Sequence, residues 1–241
     1  MRLVEYPSPN HAARQPGARI AQLVLHYTEL DLAGSLATLT DSDRPHRVSS
    51  HYVLAEDATV YRLVPEDRLA WHAGRSHWRG QDGLNATSIG IEIVNLHGDR
   101  HDYPQRQIEA LCALCHDILA RHPGIVARNV VGHSDVAPHR KIDPGLRFPW
   151  QHLAGVHIGL WPRPRRSTAL PESSVVERLV RFGYPPPHSY VDGEGKSVAV
   201  GPRELIAAFQ RRYRPGRADG GADDETQSRL DDLLDQVGNV P

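Results

Sequence analysis

The stretch IAQLVLHY, residues 20–27, is a short and nearly continuous apolar run that closes on a histidine and a tyrosine. A run of this length reads as a buried strand, the kind that lies inside a helix-covered sheet. Residues 49–55 (SSHYVLA) and 59–64 (TVYRLV) are β-branched and aromatic, and EDA between them suits a hairpin connection. Residues 88–95 (SIGIEIVN) alternate, with Ile89, Ile91 and Ile93 on one side and Gly90, Glu92 and Val94 on the other. Residues 104–122 carry Ile108, Leu111, Cys112, Cys115, Ile118 and Leu119 on one helical stripe, with Pro104 suited to the first turn and HPG to the stop. A strand over 125–132 and a short helix over 149–158 follow. Strands and helices interleave, so the expected fold over residues 1–162 is α/β (α+β), a central mixed β-sheet flanked by helices.

Composition narrows the function. Of 241 residues, 39% are hydrophobic and 24% charged, enough for a core and too little charge for a disordered chain. A net charge of −1 gives no footing for nucleic acid or an anionic membrane. No apolar run approaches the roughly 18–20 residues of a membrane span. The two cysteines sit on the apolar stripe of the 104–122 helix and read as core rather than as a metal or redox pair. The opening MRLVEYPSPNHAARQPG is not a signal peptide as written, so either the chain stays inside, or its leader is missing from this sequence, or export uses another route. WPRPRRSTALPES (161–173) has the composition of a linker, placed at 163–174. Helices over 175–182, 203–213 and 225–237 then make a small helical domain, residues 175–241.

Fifteen histidines are the outstanding count. A catalytic zinc site usually has three protein ligands and an open position, so histidines beside strand ends with a carboxylate nearby are the candidates. His26 closes the 20–27 strand, where it is either a hydrogen-bonded core histidine or a ligand. His133 follows the 125–132 strand in VVGHSDVAPHRKIDPG (130–145), where Asp143 precedes the turn dipeptide Pro144-Gly145. Lys141 lies two residues before Asp143, on the same side if the segment is extended. Of the 28 basic residues only Lys141 and Lys196 are lysines, so a lysine here stands out. Glu92 is a carboxylate in an otherwise apolar or glycine strand, and desolvation makes such a group a better base near neutral pH. Asp135 and His139 are alternative ligands, and His51 either shapes a cleft or serves structure.

VLHYT (24–28), AWHAG (70–74), LNATSIGIEIVN (84–95), VVGHSDVAPHRKIDPG and FPW (148–150) together resemble the zinc-dependent N-acetylmuramoyl-L-alanine amidases of the AmpD/AmiD kind, in the same order over about residues 20–161. LVRFGY (179–184), ELIAAFQRRYRP (204–215) and DGGADDET (219–226) resemble the helical peptidoglycan-binding-like domain of AmiD-like members. The resemblance implies the fold shared with peptidoglycan-recognition proteins and phage-lysozyme-type amidases. It implies one zinc ion held by His26, His133 and Asp143, with Glu92 as the acid/base on water and Lys141 as the cation facing the tetrahedral oxyanion. Tyr27, Trp71, His72 and Asn85 are the expected substrate-binding residues.

The implied reaction is hydrolysis of the amide between the lactyl group of N-acetylmuramic acid and L-alanine of the stem peptide. Partners are then peptidoglycan or muropeptides, with no nucleic acid, and the chain is expected to be a monomer. The extra domain favours the periplasm or cell envelope. The alternatives are a non-catalytic peptidoglycan-recognition module and a cytosolic amidase that recycles anhydro-muropeptides. Retention of Glu92 and Lys141 beside a full ligand set argues for an enzyme.

Overall fold

A computed structural model describes residues 2–163, 171–191 and 197–238. Residues 164–170 of the expected linker, and Lys196, lie outside the described residues. In chain order the strands are β1 (Arg2–Glu5), β2 (His11–Ala13), β3 (Gln22–Tyr27), β4 (Tyr52–Leu54), β5 (Thr59–Arg62), β6 (Arg68–Ala70), β7 (His77–Trp78), β8 (Gln81–Asp82), β9 (Ser88–Ile93), β10 (Val130–Gly132), β11 (His188–Val191) and β12 (Ser197–Val200). The helices are α1 (Leu32–Thr40), α2 (Gln105–Arg121), α3 (His133–Val136), α4 (Trp150–Gly155), α5 (Glu172–Phe182), α6 (Pro202–Tyr213) and α7 (Asp224–Gly238).

Six strands form a mixed sheet in the order β1-β5-β4-β9-β3-β10. Only the β4–β5 hairpin within it is antiparallel. β3 lies between β9 and β10, and every one of its residues is buried because both faces of the sheet are covered there, one by the α2 side and the other by the C-terminal unit. Period-2 alternation then sorts its side chains. Leu23, Leu25 and Tyr27 join Ile89, Ile91 and Ile93 of β9 against the α2 stripe of Ile108, Leu111, Leu114, Cys115 and Ile118. Each such aliphatic side chain contributes roughly 1.5–3 kcal/mol when fully buried. Cys115 is part of this core and Cys112 packs beside it, as the stripe predicts. Pro104 caps α2 from just outside the helix, its carbonyl accepting from the Gln107 and Ile108 N–H groups.

Two expectations are corrected. The strand expected over 125–132 is only β10, because residues Ala127–Asn129 form a 3-10 turn and just three residues pair with β3. The C-terminal unit contains the three expected helices but also an antiparallel β11–β12 hairpin. Each strand of that hairpin has only four residues, and in β12 only Val200 is fully buried, so its alternation is too brief to stand out in the sequence.

The other face of β3 and β10 meets the C-terminal unit. Val24, Trp78, Leu84, Val131 and Val136 share one buried cluster with Val175, Leu179, Phe182 and Tyr184, and with Phe209 and Tyr213 of α6 and Leu230 and Leu233 of α7. Trp78 is fully buried there, edge-on to Tyr184 with 5.2 Å between ring centroids. The part built on the six-stranded sheet and the C-terminal unit therefore meet through apolar packing. Among the described residues, no helix is long and apolar enough to cross a membrane.

Candidate active site

The site lies at the carboxyl ends of β3, β9 and β10, where parallel strands release their chains into loops. His26 is the fifth residue of β3 and pairs in register with Glu92 on β9, so the two side chains share the sheet face that Val24 also occupies. His133 follows the last residue of β10 directly. The loop after α3 then returns Asp143 to the same place, held by a Ser134 N–H bond to the Asp143 carbonyl (2.9 Å). Gly145, at φ +88, completes the turn expected at Pro144-Gly145.

Three donor atoms converge. His26 Nδ1 and His133 Nδ1 are 2.9 Å apart, and Asp143 Oδ2 lies 3.1 Å from the first and 3.0 Å from the second. All three residues are buried, and they form a group able to hold a metal ion. Burial, then the neighbouring His133, lowers the His26 pKa to about 4, so the ring is neutral at pH 7, the form that ligates. Burial opposes ionisation of Asp143, but His133 and His26 hold its carboxyl far below the usual range.

The hydrogen-bond chain behind His26 determines which of its nitrogens faces the site. Ser88 Oγ donates to the Leu84 carbonyl (2.6 Å), so it accepts from His72 Nε2 (3.0 Å). His72 Nδ1 is then an acceptor, and His26 Nε2 donates to it (3.0 Å). The lone pair of His26 is left on Nδ1, toward His133 and Asp143. His133 Nε2 donates to the Ala73 carbonyl (3.2 Å), which leaves its lone pair on Nδ1 as well. Such outer partners set the tautomer of a ligating histidine. Gly90 makes room for this chain, since a Cβ there would stand 2.4 Å from the His72 ring.

Glu92 sits beside the triad, with Oε1 4.0 Å from His26 Nδ1 and Oε2 buried without a hydrogen-bond partner. Burial, reinforced by the Asp143 charge, raises its pKa well above the ordinary value, while Lys141 opposes the rise. Lys141 and Asp143 both line the cleft. The cleft has a volume of about 180 Å³, with Trp71, His72, Ser49 and Glu29 in its walls.

The expected substrate-binding residues divide. Trp71 lines the cleft, half-buried. His72 also borders it, but both ring nitrogens are engaged in positioning His26. Tyr27 borders the cleft while its ring belongs to the α2-side core and its hydroxyl donates to Glu29. Asn85 does not line the cleft: its Oδ1 accepts from the His72 and Ala73 N–H groups and braces that loop. Asp135 is no ligand, because its carboxylate faces the C-terminal unit. His139 packs against Tyr190, away from the triad. Ser88 and Arg140 escaped sequence reasoning. Arg140 donates to the Ala73 and Arg75 carbonyls and so fixes the loop beside His133, a role that no spacing signals.

A family model described as N-acetylmuramoyl-L-alanine amidase matches residues 16–146. The chain belongs to the N-acetylmuramoyl-L-alanine amidase family. The amidase is 41% identical to N-acetylmuramoyl-L-alanine amidase AmiD of Escherichia coli, over 91% of this chain and 84% of that protein. It is 36% identical to 1,6-anhydro-N-acetylmuramyl-L-alanine amidase AmpD of Enterobacter cloacae, over 61% of this chain and 86% of that one. The fold superposes on E. coli AmiD in complex with anhydro-N-acetylmuramic acid-L-Ala-D-gamma-Glu-L-Lys with a TM-score of 0.79 at 39% identity, covering 94% of each chain. AmpDh3 of Pseudomonas aeruginosa matches with a TM-score of 0.78 at 36% identity, covering 92% of the amidase and 94% of that chain.

Proposed function

We propose that the amidase uses one zinc ion held by His26, His133 and Asp143 to hydrolyse the bond between N-acetylmuramic acid and L-alanine, and that Glu92 and Lys141 carry the proton transfer and charge balance. The observation behind this reading is the convergence of two imidazole lone pairs and a carboxylate beside a carboxylate oxygen with no partner. Two nitrogens and one oxygen suit Zn²⁺ in a catalytic site with an open position.

Zinc, when bound, supplies Lewis acidity toward the scissile carbonyl and toward water. Glu92 takes a proton from water as its oxygen attacks the carbonyl carbon. As the tetrahedral centre collapses and the C–N bond breaks, Glu92 passes that proton to the L-alanine nitrogen. The Lys141 ammonium balances negative charge on the carbonyl oxygen, as a compact point charge rather than the planar fork of an arginine. Trp71 offers a flat apolar wall to sugar or peptide.

Envelope peptidoglycan is the favoured setting, because the likeness to AmiD runs through the C-terminal unit whereas that to AmpD covers 61% of the chain. Residues 1–162 carry the chemistry, and residues 175–241 act as a wall-contacting unit. The test is mass spectrometry of products from purified sacculi and from a soluble anhydro-muropeptide, with zinc measured on the same sample. Release of free stem peptides by a zinc-loaded protein is expected. Protein without zinc that releases no stem peptide from either substrate refutes the reading.

The tautomer chain gives a separate expectation. His72→Phe removes the acceptor for His26 Nε2 and should weaken zinc binding about tenfold or more. Competition with a chelator measures this, and unchanged affinity means that the chain does not tune the ligand.

A further inference from the structure

Behind the metal triad lies a buried ionic network that the reaction does not use. Asp135 is the third residue of α3, two after His133, and is fully buried. Its Oδ2 accepts from the Gly132 N–H (2.8 Å) and from Arg212 Nη1 (2.7 Å), and its Oδ1 accepts from the Tyr184 hydroxyl (2.7 Å). Arg212 Nη2 donates to the Val130 carbonyl (2.9 Å), while its guanidinium stacks over Trp150 at 4.1 Å and Tyr213 at 4.7 Å. Arg212 lies on α6, and Tyr184 follows α5.

We propose that Arg212 and Tyr184 are positioning residues for the metal ligand His133, acting through Asp135; this rests on the metal reading above. Three features support it. Val130 and Gly132 are the two ends of β10, so Arg212 grips one directly and the other through Asp135, immediately before His133 leaves the strand. Gly132 is also the N-cap residue of the turn that carries His133, and its N–H is the group that Asp135 holds. Finally, a buried ion pair is a poor source of stability, since apolar replacements of similar volume often do as well or better, and fixing one arrangement is its best-attested use. The C-terminal unit is therefore part of the metal site's support, whatever it does with the wall.

The test uses full-length variants loaded with zinc, read by the rate of zinc loss to a chelator well below the melting temperature and by the visible spectrum of the Co²⁺-substituted protein. Arg212→Lys cannot grip Asp135 and Val130 as a planar fork, and should lose zinc about tenfold faster with an altered Co²⁺ spectrum. Tyr184→Phe removes one hydrogen bond and should lose zinc about threefold faster. Leu230→Ala, a buried residue of α7 outside the network, should lower the melting temperature while zinc loss stays at the wild-type rate. If Arg212→Lys does not fold, Tyr184→Phe decides. Zinc loss at the wild-type rate in the network variants, or equal acceleration by Leu230→Ala, overturns the inference. A wild-type protein that takes up no zinc overturns the metal reading and this inference together.

Discussion

Glu92→Gln is expected to leave the metal in place and to lower kcat by about 10²–10⁴, the usual contribution of a positioned acid/base group. In free energy this is roughly 3–5.5 kcal/mol of lost transition-state stabilisation. The metal should stay because Glu92 is not one of the three converging ligands, and its nearer oxygen stands 4.0 Å from His26 Nδ1. KM should change little, since the amide keeps the shape of the carboxylate. Steady-state kinetics with zinc content measured on the same preparation separates the roles: turnover within a few-fold of wild type sinks Glu92 as the base, and loss of zinc reassigns it to metal binding.

Residues 1–162 expressed alone are expected not to fold cooperatively. Removing the rest strips cover from Trp78, Val24, Val131 and Val136, each worth roughly 1.5–3 kcal/mol if fully buried. It also leaves the Asp135 carboxylate without Arg212, and breaking a buried pair costs about 3–5 kcal/mol. Together these rival the total stability of a domain, about 5–15 kcal/mol. The fragment should show no sharp thermal transition and should bind a hydrophobic dye. A soluble fragment melting cooperatively within a few degrees of the full chain would refute this. The linker-like composition of residues 161–173 suggests a separable module, and the shared core argues the opposite for the cut protein.

The legible parts of the molecule were those written in local pattern. The run at 20–27 marked the inner strand, the alternation at 88–95 placed Glu92 on the face opposite the isoleucines, and the stripe at 104–122 marked the covering helix. His26, His133 and Asp143 were readable because each stands where a strand or turn delivers its side chain. The β11–β12 hairpin is hard to read because an alternation over only four residues per strand is too brief to stand out. Asn85 and Tyr27 show a different limit. A motif places a residue near a site, but its hydrogen bonds decide whether it faces the substrate or braces a loop.

By itself, then, the sequence determined the strands, the covering helix and the identity of the ligand candidates, because periodicity and strand ends are properties of neighbours along the chain. Only the tertiary structure decided which nitrogen of His26 faces His133 and Asp143, that Ser88 orients His72 and His72 orients His26, and that Arg212 reaches across 77 positions to Asp135. Those depend on hydrogen bonds between residues far apart in the chain. No spacing encodes such a contact until packing brings the partners together and burial makes each unpaired group costly.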